Sequence, residues 1–235
     1  MQRMKFGTLD LSVIDPHERD TRYIYDEIYI NQIYYHSAMR MPRHPVVMDI
    51  GANIGLYSIW ASQRYQPKAI YCYEASPQTY AYLKDNTGRY IDSEITQINA
   101  INRAVARTAG ETLKLHQSPL VSGISTLLES SKVDWVPKLA DSGEIITHEV
   151  LTTTVSTEIA THGIERVDLL KIDVEGYFME VLAGIDAADF AKISNVVAEV
   201  EYAEELGVTL QSVEGFLKAR GYTTECDELT VYGWR

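Results

Sequence analysis

Hydrophobic and polar positions follow two rhythms along this chain. Short apolar runs read as strands: VVMDI (46–50), AIYCYE (69–74), EITQINAI (94–101), VDLLKIDV (167–174) and NVVAEVEY (195–202). Between them, IGLYSIWASQRY (54–65), SPQTYAYLKDN (76–86), YFMEVLAGI (177–185) and TLQSVEGFLKARG (209–221) carry apolar residues at helical spacing. Ser76 suits an N-cap, Pro77 a first helical position, and Gly221 a helix stop. Residues 1–20 are polar and predict irregular chain, while 21–40 predict a helix ended by Pro42 and Pro45. ETLKLHQ and IITHEVLTTTV alternate in the strand manner, with a loop and a short helix between them. YTTECDELTVYGW predicts a terminal hairpin turning at Asp227–Glu228.

Strands alternating with helices predict one α/β domain over 1–235: a mostly parallel twisted sheet with helices on both faces and a C-terminal antiparallel hairpin. Residues 1–44 would form an N-terminal helical extension or lid. Residues 45–235 would form the core, with a β-rich insertion around 110–160.

In such a sheet, ligands bind beyond the carboxyl ends of the strands. The first core strand ends in DIGANIG (49–55), where glycines allow a tight turn and close approach of a ligand. Asn53 can cap the following helix. The next strand ends in Glu74, placed to accept hydrogen bonds from ribose hydroxyls. The turn lacks the third glycine of the dinucleotide fingerprint and has Asp49 before it. A carboxylate there repels a diphosphate but suits an ammonium, as in S-adenosylmethionine.

Composition narrows the partners. Asp and Glu number 33 against 21 Lys and Arg, a net charge of -12, which disfavours nucleic acid. No apolar run approaches the ~18 residues of a membrane span, and MQRMKFGTLD lacks a signal-type apolar region, so a cytoplasmic protein is expected. Cys72 lies in an apolar strand and reads as a buried thiol. Tyrosines number 16 against 4 phenylalanines; those in YIYDEIYINQIYY fit helix packing better than a tyrosine-lined pocket.

The chain resembles the FkbM-type family of S-adenosylmethionine-dependent methyltransferases. DIGANIGLYS (49–58), YEASPQTYAYLKDN (73–86), NRAVARTAGETLKL (102–115), SGISTL (122–127), VDLLKIDVEGYFMEVLAGI (167–185) and NVVAEVEY (195–202) carry the likeness. YDEIYINQIYY resembles the segment preceding the glycine turn in members tied to polyketide and nonribosomal peptide assembly. The resemblance implies a class I, Rossmann-like methyltransferase fold and O-methylation of a natural-product hydroxyl, phenolic or aliphatic, on an acceptor free or tethered to a carrier protein. It implies that Asp49, Gly51, Ala52, Asn53 and Gly55 hold the methionine end of the donor. Glu74 would hold the ribose, with Ala75 beside it in the cofactor site, Asn102 and Ala104 would lie near the adenine, and Asp173 would sit near the reacting methyl. The chain departs from the family at Ala75, where proline is frequent, and at Val155–Ser156, in place of a Leu-Asp pair.

Methyl transfer to a hydroxyl calls for a positioned base, and Asp173, Glu175, His148 and His116 are the candidates. Glu175 also suits the start of the next helix. Asp173, Glu175, Glu199 and Glu201 fall at two strand ends and could hold a divalent cation, though a metal-free site is the favoured reading. Lys171, inside an apolar strand, has an open role. An NAD(P)-dependent oxidoreductase and a non-catalytic nucleoside-binding module are the alternatives.

Overall fold

The computed structural model describes residues 1–14, 19–118, 125–128, 145–200 and 207–235. The chain opens with an antiparallel hairpin, β1 (Gln2–Phe6) and β2 (Leu9–Val13), turning at Gly7. This corrects the expectation of irregular chain. Met4, Phe6, Leu9, Leu11 and Val13 are all buried. α1 (Arg19–Tyr25) then runs into a π-helical turn, Asp26–Asn31, that stops at Gln32 in a left-handed conformation. The helix expected over 21–40 is therefore half as long.

The core alternates as the pattern predicts. In order come β3 (Val46–Ile50), α2 (Leu56–Tyr65), β4 (Ala69–Tyr73), α3 (Pro77–Tyr90) and β5 (Gln97–Ile101). After the insertion, β10 (Leu169–Ile172), α5 (Phe178–Ala183), α6 (Ala187–Phe190), β11 (Asn195–Glu199) and α7 (Leu210–Lys218) follow, and β12 (Thr223–Asp227) and β13 (Thr230–Trp234) close the chain. The sheet order is β12-β13-β11-β10-β3-β4-β5. β5, β4, β3, β10 and β11 are parallel, and β13 runs antiparallel to β11 and β12.

Successive side chains on each central strand pack on opposite faces. On one face Met48, Ile50, Leu170 and Ile172 meet Val181 of α5 and Val213 of α7. On the other, Val47, Ile70, Leu169 and Val197 meet Ile59 of α2 and the N-terminal hairpin. Ser76 caps α3 by accepting from the Thr79 N–H (3.1 Å), with Pro77 at the first position.

The insertion forms a second sheet of β6 (Ala104–Val105), β9 (Ile146–Thr153), β7 (Thr112–Gln117) and β8 (Ser125–Thr126), in that spatial order. The strand expected to reach Val155 ends at Thr153. Thr154 accepts from the Thr157 N–H (3.0 Å) and starts α4 (Val155–Thr161). Ser156, at the departure from the family pattern, accepts from the Asp186 N–H (2.8 Å). The short helix expected between 118 and 143 falls largely outside the described residues.

Strand order reverses beside β3: the chain builds outward through β4 and β5, then returns to add β10 on its other side. A crevice at such a switch point, beyond the strand ends, is where a ligand binds.

Candidate active site

Register decides which acids face that crevice. Asp49 pairs with Lys171 across β3 and β10, which puts the two side chains on one face. Lys171 Nζ lies 3.3 Å from Asp49 Oδ1, and the Ser58 hydroxyl donates to Asp49 Oδ2 (2.6 Å). Asp49 is wholly buried. It meets an ammonium, but one belonging to the protein, and lines no part of the cleft. This departs from the expectation that Asp49 holds the donor. Lys171 also donates to Gly51 O and to Asp173 Oδ2, each at 3.0 Å. Burial pushes its pKa down, but Asp173 and Asp49 more than offset that and hold the ammonium charged.

The glycine turn bends the chain back over the sheet. The Gly51 and Ala52 N–H groups both donate to Tyr73 O (3.0 and 2.9 Å). Gly51 has φ +76°, and a Cβ there would lie 1.7 Å from Asp173 O, so only glycine lets β3 and β10 approach at this point. Asn53, also left-handed, donates its N–H to Glu74 Oε2 (2.9 Å). The Ser76 N–H donates to Glu74 Oε1 (2.8 Å). Burial raises the Glu74 pKa to about 7 against the pull of these two amides. Asn102 donates its side-chain amide to Glu74 O and Ala75 O (2.8 and 3.0 Å). It thus braces the turn instead of lining the crevice. Gly55 packs under α3, where a Cβ would meet Leu83 and Thr87 at 3.0 Å.

Two cavities result. The smaller, about 70 Å³, is lined by Gly51, Asn53, Glu74, Ala75, Ala104 and Asp173, with Val105, Leu115 and Leu127 as its apolar wall. The larger, about 320 Å³, lies under the N-terminal segment and includes Glu27, Tyr34, Ala52, Tyr57, Glu199 and Tyr232. Gly51, Asn53, Asp173 and Glu175 line both. Glu175 sits there with a left-handed backbone; α5 begins three residues later, its cap position Tyr177 making no side-chain bond.

Tyr34 is the residue that sequence reasoning missed. Its hydroxyl lies 2.5 Å from Glu199 Oε2 and 3.1 Å from Asp173 Oδ2. Burial, then Asp173 and Glu199, push its pKa well up, so it stays a neutral donor. The tyrosine-rich stretch was the signal, and both readings of it hold in part. Tyr25 and Tyr29 stack at 4.6 Å as packing, whereas Tyr23 and Tyr34 line the larger cavity.

The histidines fall elsewhere. His148 on β9 and His116 on β7 belong to the second sheet and line neither cavity. His116 Nδ1 lies 3.1 Å from the Thr147 hydroxyl. His148 is therefore displaced from the base role expected of it. Among the described residues no three His, Cys, Asp or Glu side chains converge on a metal position; Glu201 lies outside them.

The strand order, the glycine turn and the buried acid after β4 define a class I, Rossmann-like methyltransferase. The chain belongs to the FkbM methyltransferase family: the family model described as "Methyltransferase FkbM domain" matches residues 49–224. It is 29% identical over 221 residues to methyltransferase sdnD of Sordaria araneosa, covering 86% of this chain and 82% of that one. It is 29% identical over 224 residues to the 31-O-demethyl-FK506 methyltransferase FkbM of Streptomyces tacrolimicus, covering 89% and 84%. It is also 30% identical over 204 residues to the AMB antimetabolite synthetase AmbE of Pseudomonas aeruginosa, covering 77% of this chain and 10% of that protein. Among solved structures, precorrin-6y C5,15-methyltransferase of Geobacter metallireducens superposes with a TM-score of 0.45 at 15% identity, covering 84% of this chain and 82% of that one.

The family implies S-adenosylmethionine as cofactor, and the residues present fit it. Glu74 offers a buried carboxylate held by backbone amides, suited to a ribose diol. Ala104, Val105, Leu115 and Leu127 offer an apolar slot suited to a base. No helix among the described residues is long and apolar enough to cross a membrane.

Proposed function

We propose that the protein transfers a methyl group from S-adenosylmethionine to a hydroxyl of a small natural-product intermediate. One observation carries this reading: the Glu74 cavity and the Tyr34 cavity share a wall of Gly51, Asn53, Asp173 and Glu175. A donor whose nucleoside lies in the Glu74 cavity and an acceptor that enters the Tyr34 cavity would bring methyl and hydroxyl together at Asp173. The 31-O-demethyl substrate named for the Streptomyces relative supports a hydroxyl acceptor. The excess of 33 acidic over 21 basic residues supports a small molecule over a nucleic acid.

The bound donor supplies an electrophilic methyl on a sulfonium. The protein's part is alignment, exclusion of water and removal of one proton. Glu74 and Ala104 fix the nucleoside. Tyr34, Tyr57 and Ile28 wall the acceptor side. Asp173 takes the acceptor's hydroxyl proton, a contribution of ~10²–10⁴-fold for a positioned base. Lys171 and Tyr34 hold that carboxylate in place through Oδ2. Glu175 is the second carboxylate at the boundary.

The test is Asp173→Asn assayed against a panel of phenols and aliphatic alcohols, free and as carrier-protein thioesters. Transfer falls by about 10²-fold while S-adenosylhomocysteine affinity stays within about threefold. Wild-type turnover in this variant, or preferred transfer to an amine analogue over its hydroxyl counterpart, overturns the proposal.

A further inference from the structure

The donor carries an ammonium on its amino-acid end, and the carboxylate expected to meet it, Asp49, is turned inward onto Lys171. A second acid within reach of the Gly51–Asn53 turn would suit that end. Asp173 Oδ2 is already engaged by Lys171 and Tyr34, and Glu199 Oε2 by Tyr34. Glu27 lines the larger cavity together with Gly51, Ala52 and Asn53. It is half-buried, in the first turn of the π-helix Asp26–Asn31.

We infer that Glu27, from the N-terminal segment outside the family-matched residues 49–224, binds the ammonium of the donor and so completes the donor site from above. Three observations bear on it. The backbone there departs from an α-helix: the π-turn ends with the Gln32 and Ile33 N–H groups both reaching back to Glu27 O (3.1 Å for Ile33). Such turns recur at functional sites and re-aim side chains. The segment that follows is anchored, since the Tyr232 hydroxyl donates to Ile33 O (2.6 Å) and His36 stacks on Trp234 (4.9 Å). Finally, among the described residues no basic side chain forms an ion pair with Glu27. Burial raises its pKa, a hydrogen bond from Tyr23 lowers it, and Asp173 raises it again. An ammonium placed between Glu27 and the turn would relieve both the burial and the repulsion.

The inference rests on the donor reading of the glycine turn, and its test needs no acceptor. Calorimetry on the full chain compares S-adenosylhomocysteine, its analogue lacking the amino group, S-(5′-adenosyl)-4-mercaptobutanoate, and 5′-methylthioadenosine, which lacks the amino acid altogether. Wild type should bind the amino-free analogue about tenfold or more weaker than S-adenosylhomocysteine. Glu27→Gln should lose about tenfold for S-adenosylhomocysteine, lose nothing for 5′-methylthioadenosine, and no longer distinguish the first two ligands. Wild-type affinity for S-adenosylhomocysteine in Glu27→Gln overturns the inference. An equal loss for 5′-methylthioadenosine also overturns it, because the variant then merely loosens the segment. Neither result touches the hydroxyl-transfer proposal, which falls only to the Asp173→Asn and acceptor assays.

Discussion

The ends of β3 and β4 lie side by side, and each carries an acid that the sequence marks for the ligand. They meet opposite fates. Asp49 sits inside its strand, with Lys171 opposite in register, and is wholly buried against that ammonium. Glu74 sits one residue past β4, beyond the last rung, and is 6% exposed at the cleft. Its partners are two backbone N–H groups, not a cation. A buried carboxylate that is ion-paired becomes architecture. One that is merely hydrogen-bonded keeps its desolvation penalty until something relieves it. The difference of position relative to the strand end assigns one acid to the fold and the other to the ligand.

The most severe way to break the comparison is to remove the cation. Lys171→Met leaves Asp49 buried without its charge partner and takes away a bond from Gly51 O and Asp173. Removing one member of a buried pair costs about 3–5 kcal/mol, a large share of a typical domain's stability. Urea unfolding should show this as a lowered midpoint with an unchanged slope. The double variant Lys171→Met/Asp49→Leu should recover part of the loss, because it removes the orphaned charge as well. A single variant as stable as wild type would mean that Asp49 is not held by Lys171.

Glu74 should respond in the opposite sense. Its pKa moves from an ordinary 4.5 up to about 7 in the folded chain. Between those values the folded state binds more protons than the unfolded one, so stability falls as pH rises through that window. The cost of ionising it is roughly 3 kcal/mol, fully present above pH ~7. Glu74→Gln should therefore raise stability at pH 8 and change little at pH 4, read from paired urea titrations. The same variant should weaken S-adenosylhomocysteine about tenfold or more, since two charge-assisted bonds become neutral ones. In wild type the ligand's affinity should rise with pH up to about 7.5 and then level off. Affinity that is flat across that range would detach Glu74 from the ribose.

Much of this was legible beforehand, and the exceptions have physical causes. Strands β3, β4, β10 and β11 announce themselves because a strand buried on both faces needs an unbroken apolar run. The glycine turn shows because few other residues accept its backbone. The hairpin β1–β2 went unseen although Met4, Phe6, Leu9, Leu11 and Val13 alternate; Gln2, Arg3, Lys5 and Asp10 dilute the pattern. The helix at 21–40 was overdrawn because Ile24, Ile28 and Tyr35 keep a helical spacing past the point where the backbone leaves it. Lys171 stayed open because the pairing of β10 with β3 joins positions far apart in the chain. Tyr34 and the two histidines show the same limit. Periodicity places a residue on a face, but only tertiary packing says what that face meets.

The smallest expected effect is the sharpest, because it separates the two acids without disturbing the cation. Asp49→Asn keeps the side chain's size and its bond from Ser58, and leaves Lys171 paired with Asp173. One buried charge is lost, but no charge is left uncompensated. A stability loss of about 1–2 kcal/mol is expected, well short of that for Lys171→Met. S-adenosylhomocysteine affinity should stay within about threefold of wild type, because no Asp49 atom faces the cleft and Lys171 remains in place to hold Gly51 O. If affinity instead falls as far as it does in Glu74→Gln, Asp49 reaches the ligand after all. The two strand ends would then do the same work, and Glu27 would lose its reason to supply the missing carboxylate.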